Sequence, residues 1–76
     1  MFNAKELREL TTAKDFKPFA IHTTDGARYE IHNHDMMMVS QNSVYIGLQP
    51  NADGFAERYV RCAIIHITRI EELQAA

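Results

Sequence analysis

At Phe16 the spacing of apolar residues changes from that of a helix to that of a strand. Beyond it Phe19 and Ile21 alternate with Ala20 and His22, a period of two. Thr24-Asp25-Gly26-Ala27 interrupts the alternation. Asp-Gly is a strong hairpin signal, because a type I′ turn needs positive φ at both central residues. The returning segment places Tyr29 and Ile31 on one face and Arg28, Glu30 and His32 on the other, as expected for a strand with one side on a core and one in water. A two-residue turn at Asp25-Gly26 sets Thr24 opposite Ala27 and His22 opposite Tyr29.

The pattern repeats downstream. Asn33, His34 and Asp35 read as a turn, and Met36 to Val39 as a short strand. After Ser40-Gln41-Asn42-Ser43, the residues Val44, Ile46 and Leu48 alternate with Tyr45 and Gly47. Gln49 to Ala56 carries Pro50, Asn51, Asp53 and Gly54 and is the longest loop. The last strand is expected from about Glu57 to Ile70; its centre, Cys62-Ala63-Ile64-Ile65, is apolar on both sides, so it is buried on both faces or bends between two sheets. Ahead of all this, Asn3 with Glu6 reads as a capping box, and Phe2 with Leu7 as a hydrophobic staple. The helix is expected over about 3–14, ending before Lys17-Pro18, with Leu7 and Leu10 on its docking face.

These elements predict a mainly β fold: a five-stranded Sm-like or SH3-like small barrel over about 16–70, with an N-terminal α-helix and a frayed tail at 71–76. Closure removes exposed strand edges. With 76 residues, the chain is a single domain with a thin core. Its lone cysteine excludes an internal disulfide and fits a reducing compartment. Self-association is a remaining way to bury more apolar surface. No apolar run approaches the ~20 residues that span a bilayer. The first residues lack a basic stretch followed by an apolar one, so a cytoplasmic location is expected.

The stretch TDGARYEIHNHDMMMV resembles the first Sm motif: Asp25-Gly26 matches its turn, Asp35 its Asp and Met38 its Met, while Val39 stands where an Asn belongs. Val60-Arg61-Cys62-Ala63-Ile64-Ile65-His66-Ile67 is similar to the second motif, with Cys62 in the Gly position of the Arg-Gly pair. In the Sm family the loop Asn and the Arg-Gly pair help hold an RNA base. The resemblance therefore implies RNA as a partner, an Sm-like ring, and Asp35 and Arg61 as nucleic-acid-binding residues. The string KPFAIHTTDGARYEIH looks closer still to a widespread set of short bacterial proteins of uncharacterised function, which open with a small helix, a Pro-Phe strand and an Asp-Gly hairpin. That likeness implies no activity.

Net charge of -2 argues against a phosphate-driven binder unless the cations segregate onto one face. Lys14, Lys17, Arg28, Arg58, Arg61 and Arg69, with Tyr29, Tyr45 and Tyr59 as stacking platforms, would form such a face. His32 and His34 beside Asp35 resemble half of a metal site, because imidazole and carboxylate are the ligands that zinc takes in sets of three or four. His66 interrupts an apolar strand, but Cys62 is ~13 Å away by strand rise, too far for a nucleophile–base pair. The motifs of phosphate loops, zinc fingers and nucleophile elbows do not occur. The function expected is a non-catalytic, self-associating interaction module, with Met36, Met37, Met38, Tyr45 and His66 at its interface. No cofactor is expected. The alternatives are an Sm-like RNA-binding ring and a small metal-binding protein using His32 and His34.

Overall fold

Capping starts the helix where the side chains direct it. In the computed structural model, which describes residues 1–73, Asn3 is extended and its side chain accepts the Glu6 N–H at 2.8 Å, while Glu6 Oε1 accepts the Asn3 N–H at 3.3 Å. This box satisfies two donors that the first turn leaves free. Helix α1 runs Ala4–Thr12. Leu7 is fully buried, and Phe2 and Leu10 pack beside it against the core. The hydroxyls of Thr11 and Thr12 both donate to the Arg8 carbonyl, competing with the backbone where the helix stops.

The rest forms strands β1 (Phe19–Thr23), β2 (Arg28–Ile31), β3 (Met37–Val39), β4 (Ser43–Pro50), β5 (Ala56–Ala63) and β6 (Ile67–Glu72). They make two antiparallel three-stranded sheets, in the orders β2-β1-β6 and β3-β4-β5. The fold is mainly β with an N-terminal helix, as expected, and has six strands in two sheets where five strands were expected. The extra strand arises at Ile64–His66, where a single 3₁₀ turn breaks the expected long last strand and hands it from one sheet to the other. A second 3₁₀ turn, His34–Met36, does the same between β2 and β3. Fraying from Glu71 is also corrected: Glu71 and Glu72 pair with Ala20 and Phe19, and the Leu73 N–H donates to the Pro18 carbonyl at 3.0 Å. Residues 74–76 of the expected tail lie outside the described residues.

The β1–β2 turn holds one residue more than expected. Thr23 N–H donates to Ala27 O and Gly26 N–H to Thr23 O, both at 3.0 Å, with Gly26 at φ 85°. This is the three-residue loop in which a left-handed glycine completes a turn. The register shifts accordingly: His22 faces Arg28, and Tyr29 faces Ile21.

The core lies between the sheets. Phe19, Ile21, Ile31, Val44, Ile46, Ile64 and Ile67 fill it, with Leu7 from the helix. Met37 is buried there too, at 4% exposure, so it is removed from the expected interface. The period-two pattern explains this, since Met37 shares a face with Val39 and Met38 does not. Among the described residues no helix is long and apolar enough to cross a membrane.

Candidate functional site

The outer face of the β3-β4-β5 sheet brings together Met38, Tyr45 and Arg61 from the residues singled out in the sequence. Met38 stands opposite Tyr45, Tyr45 opposite Arg61, and Gly47 opposite Tyr59. Alternation sends Val44, Ile46 and Cys62 to the inner side and leaves this row on the outer one. Met38 is 64% exposed and Tyr59 69%. Gly47 carries no side chain and is overlain by Met36 and Ala56; a Cβ built there would stand 2.8 Å from the Ala56 Cβ and 3.1 Å from the Met36 Cε. Asp35, Met36, Met38, Tyr45 and Tyr59 line a shallow hollow of about 370 Å³ on this face. Its lining is two thioethers, two aromatic rings and one acidic residue, Asp35.

Asp35 and Arg61, matched to the two Sm motifs, both border Tyr45 without meeting: among the described residues neither forms an ion pair. Arg61 opens instead on a second cleft, of about 480 Å³, between β5 and the β1–β2 turn. His66, expected at an interface with the methionines, lines that cleft and not the Met38–Tyr45 face. Its Nδ1 is 3.3 Å from the Thr24 hydroxyl. Asp25, also in the cleft, accepts from the Thr23 hydroxyl and from the Ala27 N–H, and these bonds, the Thr23 one foremost, hold its carboxyl below the usual range. Burial pushes the Cys62 thiol up, away from the thiolate that attacks or binds metal. His66 and Asp25 are thus each engaged locally, and among the described residues the Cys62 thiol donates to the Ala63 carbonyl and hydrogen-bonds with neither.

His32 and His34 are drawn apart. His32 Nε2 lies 2.8 Å from Glu30 Oε1, while the His34 ring packs edge-on to Phe16 with centroids 6.3 Å apart. β2 ends at Ile31, before either ring, and His34 opens the 3₁₀ turn, so no continuous strand aims both rings the same way. Among the described residues no three His, Cys, Asp or Glu side chains converge to hold a metal ion.

The cations do not form one patch either. On the outer face of the β2-β1-β6 sheet, Arg28 reaches both Glu30 and Glu71, the latter at 3.4 Å from Nε. His22 Nε2 is 2.9 Å from Glu71 Oε1, and Arg69 Nη2 lies 3.3 and 3.2 Å from the two His22 ring nitrogens. His32 extends this chain through Glu30. Hydrogen bonding from Arg28 and then His32 lowers the Glu30 carboxyl; hydrogen bonding from His22, with Arg28 beside it, lowers that of Glu71. The sequence showed a polar face here but not its pairing, which needed β6 to lie beside β1. Phe55, 71% exposed at the end of the β4–β5 loop, and Ile65 were also missed, since a single apolar residue in a turn carries no periodic signal. Compared with models of protein families, with curated proteins and with solved structures, the chain matches none of them.

Proposed function

We propose that the protein is a non-catalytic module of the small SH3-like or Sm-like barrel class that associates with copies of itself. The connectivity supports the barrel: each 3₁₀ turn carries the chain from one sheet to the other, and β6 returns beside β1. The observation that carries self-association is a large side chain, Tyr59, left in water on β5, an edge strand unpaired among the described residues, with exposed Met38 lining the same hollow. Exposed apolar surface of this kind, beside a free edge, is what a partner strand or sheet covers. A second copy is the occupant favoured by the thin core, for which association adds buried area.

The test is light scattering coupled to size exclusion. A single oligomeric species is expected, weakened by Tyr59→Lys on the exposed β5 edge; a monodisperse monomer at every concentration overturns the reading. A second reading, RNA binding, draws on Arg61 standing opposite Tyr45, which offers a cation beside a ring for base stacking. It predicts salt-sensitive binding of short single-stranded RNA that Arg61→Ala weakens, and unchanged migration at low salt removes it.

A further inference from the structure

The main-chain groups of β5 show which of its residues offer bonds to a neighbour. Ser40 N–H donates to Ser43 O at 2.8 Å and Ile64 N–H to Asn42 O at 2.9 Å. In an antiparallel ladder these groups alternate in direction from one residue to the next. With β4 and β5 in their observed register, the Ile64 bond turns the N–H and C=O groups of Cys62, Val60 and Arg58 toward β4. Those of Glu57, Tyr59 and Arg61 therefore point out of the free edge. The side chains of the same three residues are exposed, and alternation puts them on the outer face.

The order acid, aromatic, base is complementary to its own reverse. We infer that two copies pair edge to edge along β5, antiparallel about a twofold axis at Tyr59, joining two three-stranded sheets into one. This inference rests on the self-association proposed above and names its surface. In this register Tyr59 meets Tyr59 of the other copy, and Glu57 of each lies opposite Arg61 of the other. Both the main-chain bonds and the side-chain charges are then matched, and directly opposite Cβ atoms lie about 4.5–5.5 Å apart, within reach of an ion pair. Neighbouring registers lose this match: an axis at Val60 sets Tyr59 opposite Arg61 and Glu57 opposite Ala63, with no unlike pair. An axis at Arg58 opposes two arginines and an axis at Glu57 two glutamates, and like charges directly opposite are destabilising. A twofold interface uses the same patch on both copies and closes on itself, so the assembly stops at two along this edge.

Charge reversal with rescue tests the register by sedimentation equilibrium. Glu57→Arg and Arg61→Glu each set like charges opposite twice per dimer and should weaken dimerisation about tenfold or more; the double reversal restores the unlike pairs and should return to within about threefold of the wild type. Circular dichroism melting checks that each variant stays folded. As a second readout, Tyr59→Cys in a Cys62→Ala background should oxidise to a covalent dimer, because the two sites face each other across the axis, whereas Glu9→Cys in that background should not. A wild type that dimerises but ignores the reversals, or a Tyr59→Cys variant that stays monomeric on oxidation, overturns the β5 register and leaves self-association standing. A wild type that is monomeric throughout overturns self-association itself.

Discussion

Replacing Gly47 by alanine should destabilise the protein although nothing about the glycine's backbone demands it. The demand is steric. The added methyl would stand 2.8 Å from the Ala56 Cβ, closer than two such carbons approach, and 3.1 Å from the Met36 Cε. Met36 has a flexible end and can swing away. The Ala56 Cβ is fixed to the backbone of β5 at the loop, so the strand ends must part. Overpacking of this kind costs about 1–3 kcal/mol. Against it, alanine loses less conformational freedom on folding than glycine, which returns about 0.4–1 kcal/mol. The net expectation is a loss of about 1–2 kcal/mol, or a melting point lower by about 4–16 °C in a domain this small. Urea unfolding followed by circular dichroism measures it, with Ala56→Gly as the partner in a double-mutant cycle. Gly47→Ala combined with Ala56→Gly should show a coupling of about 1 kcal/mol, because the second change removes the clashing atom. If Gly47→Ala matches or exceeds the wild type in stability, or the coupling is nil, then the contact does not limit this sheet. The hollow beside Asp35 should respond as well, since Met36 both covers Gly47 and lines it.

Asn3→Ala removes the side-chain acceptor of the Glu6 N–H and should cost about 1 kcal/mol in urea unfolding; an unchanged midpoint would show the cap to be dispensable. Leu7→Ala, at the one fully buried helix position, should cost about 2–5 kcal/mol, and a loss under about 1 kcal/mol would mean that the helix is not docked through that residue. The Glu30 and Glu71 carboxyls are held below their ordinary value of 4.5, so their contribution is fully present above that pH and is lost as the pH falls through the lower folded-state values. Carbon-detected NMR should place both midpoints under 4.5, with Arg28→Ala moving each upward, and a midpoint for Glu71 at or above 4.5 contradicts the network. Calorimetric titration with zinc should give no stoichiometric, His32- and His34-dependent binding, because those rings are engaged by Glu30 and Phe16; a tight one-to-one site lost in the double alanine variant would refute this.

Local chemistry was legible wherever its causes were local. The capping box, the change of period at Phe16 and the inward-facing Ile21, Ile31, Val44 and Ile46 all follow from side chains within a few residues of one another. The candidate site was legible as composition more than as arrangement: Met38 stands opposite Tyr45, but Met37 turned inward and His66 joined another cleft. The two His residues look paired in the sequence only if the strand runs on through His34, and it stops at Ile31. The one-residue error at Asp25-Gly26 has a similar origin, since the same dipeptide serves two-residue and three-residue loops and the ladder beyond decides between them.

The sequence by itself determined where the helix starts, where extended structure takes over from it and which side of β2 and β4 is apolar, because these depend on backbone sterics and side-chain alternation over short distances. Only the tertiary structure decided which strands lie side by side. The meeting of Glu71 with Arg28 and His22, the separation of Asp35 from Arg61, and the free edge of β5 all depend on how two 3₁₀ turns share the strands between sheets. Such contacts join residues far apart in the chain, and their energies exist only once the core has closed and set every register together.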